Sequence, residues 1–210
     1  GIRDSSVTGV QTCALPICIA VNLFSAHLHH ASFINDIEDA LKASGLPSNV
    51  LELEIVESVA LNNEGAAKPL QRLRETGVQL AFDDFGTGFA SLSYLTLFPV
   101  THIKIDRSFV AKVCNGDRDA AIVRSLLAMA HSMDLDVIAE GIETEAQAKF
   151  LLKENCEEAQ GYLYSKPLPA SEFEAYFAAA QGADGTSESG GHYGEDALLN
   201  LPPARRRKAR

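Results

Sequence analysis

Six short hydrophobic runs in this chain each give out at a polar or charged residue, and amphipathic segments of helical length lie between them. The polar ends are Asn22 after Val21, Glu54 and Glu57 after the run from Leu51, and Asp83 with Asp84 after the run from Leu80. Asp106 closes the run from His102, Glu140 the run from Asp136, and Gln160 follows Ala159. Strand–helix alternation predicts a parallel sheet with right-handed crossovers. Such a series gathers its end-of-strand residues at one rim of a TIM-like β/α barrel, the rim where barrel enzymes do chemistry. Most of these residues are carboxylates or amides, the hard oxygen donors that Mg²⁺, Mn²⁺ or Ca²⁺ prefer.

Local patterns place the elements between those ends. Residues 50–56 alternate Leu51, Leu53 and Ile55 with Glu52 and Glu54, the period of two of a strand. Residues 33–44 predict a helix with Ile34, Ile37 and Leu41 inward, stopped by Gly45 and Pro47. The longest helix is expected over 118–133, carrying Ile122, Leu126, Met129 and Met133. Thr144 followed by Gln147 predicts a capping box at the start of a helix over 144–154. A last strand is expected over 159–162 and a last helix over 171–180, anchored by Phe173 and Phe177. Lys104 shares the inward parity of its strand with His102 and Asp106, which puts an ammonium among the rim carboxylates.

At 210 residues and 46% hydrophobic content the chain can bury one substantial core. A complete eight-fold barrel usually takes about 250 residues, so the chain is short for its own pattern. Net charge is −10, although five of the last six residues are Arg205, Arg206, Arg207, Lys208 and Arg210. The remainder carries 13 basic against 28 acidic residues. A body this acidic argues against binding a nucleic-acid polymer, and it needs a metal if it is to hold a phosphate. Residues 181–210, rich in Gly and Ser and ending in the basic cluster, read as a disordered tail. Cys13, Cys18, Cys114 and Cys156 show no paired metal-ligand spacing, which points to a reducing, cytoplasmic setting. A membrane-tethered parent is compatible with this.

Residues 7–17 read VTGVQTCALPI, the conceptual translation of a common short-read sequencing adapter. Residues 1–17 are therefore expected to be an artefact outside the fold. The natural chain is then expected to start near Cys18, one strand into a domain that runs over 18–180.

The fragments VNLFSAHL, LELEIVES, LAFDDFGTGFASLSYL, IKIDRSFV, VIAEGIET and AQGYLYSKPL occur in this order. Together they strongly resemble the EAL family of cyclic di-GMP phosphodiesterases, from Ile19 to about Phe177. The resemblance implies Asn22, Glu54, Asp83 and Asp84 as ligands of Mg²⁺ or Mn²⁺, two ions in all, with Asp83 shared by both and Asp84 a ligand or water holder on the second. It implies that Lys104 orients water or steadies a phosphate oxygen, and that Glu140 is a general base or water-positioning carboxylate. Gln160 is implied as an amide touching water or substrate, and Glu143 as support for Lys104 or the adjoining loop. Glu57 is implied to anchor the loop from Phe85 to Ser91, which with neighbouring helices also forms a homodimer. Val56 stands where the family commonly has Thr, removing a hydrogen bond worth about 0.5–1.5 kcal/mol.

The reaction so implied is metal-assisted hydrolysis of one phosphodiester bond, opening cyclic di-GMP to linear pGpG. The family's Glu-Ala-Leu motif, with a further metal-binding Glu and a following Arg that meets substrate phosphate, is expected before Asn22, and the tripeptide occurs nowhere in the 210 residues. A truncated gene model is therefore expected, with an active parent, an inactive fragment, and upstream sensor or cyclase domains in the intact protein. The alternatives are a non-catalytic cyclic di-GMP receptor or an EAL-like protein-interaction module. Retention of the other site residues argues against both.

Overall fold

The computed structural model describes residues 18–56, 65–87 and 92–182, with the backbone alone for 92–94 and 177–182. Residues 1–17, Glu57, the end of the loop over 85–91 and the basic tail lie outside the described residues, and with them the expectations placed there. Six strands form one parallel sheet in sequential order: β1 (Ile19–Leu23), β2 (Leu51–Val56), β3 (Gln79–Phe85), β4 (His102–Ile105), β5 (Asp136–Ala139) and β6 (Glu158–Ala159). Between them run α1 (Ser25–Leu28), α2 (Phe33–Ser44), α3 (Ala67–Glu75), α4 (Leu92–Leu97), α5 (Arg107–Val110), α6 (Asp117–Ser132) and α7 (Glu145–Lys153). α8 (Ala170–Gly182) closes the described chain. The sheet curls into a half-barrel: Glu158 on β6 acts electrostatically on Glu52 on β2, although three strands separate them in the sheet. The expected fold class, a TIM-like barrel in incomplete form, is the one observed.

Both faces of the central strands are buried, as in parallel sheets generally. Leu53, Ile55, Leu80, Phe82, Ile103 and Ile105 point outward into the helix layer and are at most 3% exposed. The opposite parity carries Glu52, Glu54, His102 and Lys104, all buried in the concave interior. α2 ends where Gly45 takes a left-handed conformation (φ 69°), its N–H donating to the Leu41 carbonyl. α7 starts with the expected capping box. The Thr144 hydroxyl accepts from Gln147 N–H at 3.3 Å, and the Gln147 side chain accepts from Thr144 N–H at 2.9 Å.

Three local expectations are corrected. α6 buries Ala120, Val123, Leu127 and Ala130, while Ile122 is 40% exposed and Leu126 and Met129 are only partly covered. The small Ala and Val side chains let the helix lie close against the sheet, and the larger stripe one residue earlier is left at the margin. β3 continues through Asp83 and Asp84 to Phe85, beyond the polar end expected of its run, and β6 spans two residues rather than four. After β6 the chain is held instead by Leu163 N–H donating to the Ile142 carbonyl (2.9 Å) and Ile142 N–H to the Gln160 carbonyl (3.1 Å). That approach leaves no room for a side chain at Gly161, whose Cβ would fall 2.2 Å from Ile142 backbone atoms.

Candidate functional site

Lys104 organises the C-terminal rim. Its ammonium lies 2.5 Å from Glu54 Oε1, 3.0 Å from Asp83 Oδ1 and 2.6 Å from Glu140 Oε1, joining β2, β3 and the end of β5 through β4. Burial alone would lower the Lys104 pKa; Glu140, Glu54 and Asp83 outweigh that and hold the group charged, above the ordinary lysine value. Gln160 Nε2 donates to the same Glu140 oxygen at 2.6 Å. Burial raises the Glu140 pKa, Lys104 opposes the rise, and the negative charges of Asp83 and Glu54 add to it.

Neighbouring residues in a regular strand point to opposite faces, yet Asp83 and Asp84 serve one site. The β3–β4 register shifts between Phe82 and Phe85, and Asp84 adopts a left-handed backbone (φ 54°). A bulge of this kind re-aims side chains, and Asp is among the few residue types that enter the left-handed region readily. Asp84 N–H donates to Asp83 Oδ1 at 3.0 Å, which fixes the pair. One oxygen each of Asp83, Asp84 and Glu140 then lies within 4.8 Å of the others. Burial, together with Asp83 and Asp106, raises the Asp84 pKa.

The donor set fits a divalent cation. Three carboxylates share one ammonium and a fourth, Asp84, lies beside two of them, an excess of negative charge that a buried site tolerates only with further compensation. Glu54 Oε1 touches the ammonium outside hydrogen-bond geometry and is the buried side-chain oxygen left without a hydrogen bond among the described residues. Asn22, exposed on β1, pairs in register with Glu54 and so presents its amide on the same face.

Of the residues singled out from sequence, Glu54, Asp83, Asp84, Lys104, Glu140 and Gln160 are brought together directly, and Asn22 by register. Glu143 does not pair with Lys104: it is exposed on the wall of an adjoining cavity, and the carboxylate partners of Lys104 are Glu54, Asp83 and Glu140. Its backbone N–H donates to the Gln147 side chain as α7 begins, which turns the residue outward. That cavity, of about 210 Å³, opens off Glu140 and Gln160 and is lined further by Arg107, Tyr162, Tyr164 and Lys166.

A second polar layer lies beneath the rim and was not foreseen. His102 Nδ1 meets Glu52 Oε2 at 3.1 Å and the Thr101 hydroxyl at 2.9 Å, and His102 Nε2 lies 3.7 Å from Asp136 Oδ2. Burial, with Glu158 and Glu54 nearby, pushes the Glu52 carboxyl up to about 8. Its signal was the shared inward parity of Glu52, His102 and Asp136 at the starts of three strands.

The EAL domain family matches residues 7–167. The chain belongs to the EAL domain family. Among curated relatives, the cyclic di-GMP phosphodiesterase NbdA of Pseudomonas aeruginosa is 43% identical over 162 residues, 77% of this chain and 21% of that protein. The bifunctional diguanylate cyclase/cyclic di-GMP phosphodiesterase MucR of the same organism is 39% identical, over 75% of this chain and 23% of its own length. The chain thus spans about a fifth of these relatives. Among solved structures, the EAL domain of Mycobacterium smegmatis DcpA superposes with a TM-score of 0.73 at 41% identity, covering 78% of this chain and 74% of that one. The EAL enzyme Bd1971, in its cAMP- and cyclic-di-GMP-bound form, gives a TM-score of 0.72 at 36% identity, over 76% and 42%. EAL membership accounts for the parallel half-barrel.

Proposed function

We propose that this EAL domain supplies the metal-bearing wall of a phosphodiesterase site that opens cyclic di-GMP to linear pGpG. The carrying observation is the knot of three carboxylates around Lys104 with Asp84 beside them, and one buried Glu54 oxygen lacking a hydrogen bond. Relatives named as cyclic di-GMP phosphodiesterases supply the substrate.

Asn22, Glu54, Asp83 and Asp84 would hold Mg²⁺ or Mn²⁺, two ions in this reading. Bound there, the cations neutralise phosphate charge and make water a better acid. Glu140, held on one oxygen by Lys104 and Gln160 and raised in pKa, is suited to accept a proton from water. Lys104 keeps its proton throughout and steadies the carboxylates against mutual repulsion. Glu57 and Glu143 serve as supports for the loops around the site. A homodimer through the loop over 85–91 is supported by Leu97, 57% exposed on the helix that follows it. Sensor or cyclase domains in the parent are supported by the length of the relatives. A reducing, cytoplasmic compartment is supported by the free thiols of Cys18, Cys114 and Cys156.

The test uses the gene product as encoded at its source locus, with calorimetry of Mn²⁺ binding run beside pGpG release. Glu54→Ala and Asp83→Ala should lose metal binding and turnover together. Glu140→Gln should keep metal binding and lower turnover by about 10²–10⁴-fold; loss of metal instead would make Glu140 a ligand, as its closeness to Asp83 and Asp84 allows. Robust turnover by both Ala variants would defeat the enzyme reading, and tight cyclic di-GMP binding without turnover in the wild type would make the domain a receptor.

A further inference from the structure

Any ligand with two phosphates poses a charge problem for this protein, whose net charge is −10. Cations at the rim can neutralise the phosphate under attack. Lys104 offers nothing to the other one, since three carboxylates already claim its ammonium within 3.0 Å. The cavity beside Glu140 and Gln160 has two basic side chains on its wall, Arg107 and Lys166. Lys166 is partly engaged, its ammonium 5.9 Å from the centre of the Tyr162 ring. Arg107 has no ion pair or hydrogen bond from its guanidinium among the described residues.

The position of Arg107 is set by contacts rather than left to a flexible surface chain. It is the first residue of α5, directly after Asp106, whose side chain accepts from Ser108 N–H at 2.9 Å. Its Cβ is packed against Gly141, which has a left-handed backbone (φ 70°). A Cβ at Gly141 would stand 2.4 Å from Arg107 Cβ and 3.2 Å from its Cα. The stem is therefore pinned next to the residue that follows Glu140, while the head stays exposed toward the cavity. Its charge also reaches Asp84, where it offsets part of the pKa rise.

We infer that Arg107 is a substrate-binding residue that holds the second, uncut phosphate of the cyclic dinucleotide, its planar fork matching two phosphate oxygens. The assignment rests on the substrate reading given above. A guanidinium is suited to this because it presents paired donors in fixed geometry, which an ammonium does not. The rim cations and Arg107 then divide the substrate's two charges between them.

The experiment is equilibrium binding of cyclic di-GMP to the full chain in EDTA, with inorganic phosphate as a second probe, at several salt concentrations. Arg107→Ala should weaken cyclic di-GMP binding by about 10- to 100-fold and flatten its salt dependence. Arg107→Lys should fall between the two, because charge is retained and the fork is lost. Inorganic phosphate should bind all three proteins within about twofold of one another, since it lacks the purines that place a phosphate in this cavity. Mn²⁺ binding, measured without nucleotide, should be unchanged in both variants, which also reports that the rim is folded. Wild-type affinity and salt slope in Arg107→Ala would overturn the assignment and leave the substrate reading standing. Failure of the wild type to bind cyclic di-GMP would overturn both.

Discussion

Glu52 and Glu54 stand two residues apart on β2, both buried and both facing the concave side of the sheet, yet their surroundings differ in kind. Glu52 sits in a closed arrangement in which His102, Asp136 and Thr101 answer one another from neighbouring strands. Thr101 also exchanges hydrogen bonds with the Leu80 backbone, which ties that layer to the fold. Glu54 belongs to a layer with more carboxylates than cations and one oxygen without a hydrogen bond. The lower layer has the marks of stability and the upper one of a site held ready for a ligand, since unsatisfied buried polar groups are costly and uncommon.

Removing Lys104 should break the contrast most severely. Lys104→Met leaves Glu54, Asp83 and Glu140 buried together without their shared cation, and in EDTA should cost on the order of 3–5 kcal/mol of stability. Urea unfolding with and without Mg²⁺ checks this, and Mg²⁺ should restore more stability to the variant than it adds to the wild type. Equal stability of variant and wild type in EDTA would mean that Lys104 does not hold the rim together.

A smaller effect should separate the layers by pH. The Glu52 carboxyl is raised to about 8 in the folded state from an ordinary value near 4.5, so the folded protein binds that proton more tightly than the unfolded one. The stabilisation is complete below the ordinary value and is lost as pH rises through about 8. Glu52→Gln should lack this decline, so its melting temperature should fall less than that of the wild type across the same pH window. Parallel declines in the two proteins would remove Glu52 as the cause.

The smallest change sharpens the rim alone. Gln160→Leu removes the amide donor to Glu140 and should cost about 0.5–1.5 kcal/mol in stability, while raising the Glu140 pKa further. A pH–rate profile of the intact enzyme should shift its acidic limb upward, and an unmoved limb would show that Gln160 does not tune Glu140.

Most of the rim was legible because strand parity is a strict code. Glu54, Lys104 and Glu140 each occupy an inward register position near a strand end, and one-residue errors of boundary do not change that. Asp83 and Asp84 could be named but their common aim could not be derived from alternation, since it depends on a bulge and a left-handed Asp84. Helix faces were less secure. On α6 two apolar stripes compete, and the choice of Ala and Val over Ile and Met depends on how closely the helix approaches the sheet. The lower layer is less legible, because alternation gives Glu52 and His102 a parity but does not say which groups meet across neighbouring strands.

Sequential strand order has a consequence for how such a domain changes over generations. Each strand–helix unit packs chiefly on the units beside it, whereas Asn22, Glu54, the Asp pair, Lys104, Glu140 and Gln160 come from six successive units, in most cases one apiece. Chemistry is thus the most distributed property of the molecule and shape the most local. A single substitution in any one unit can break the polar rim while its neighbours go on folding around it, so a lineage of this architecture can lose the rim's proposed chemistry in one step and keep the scaffold.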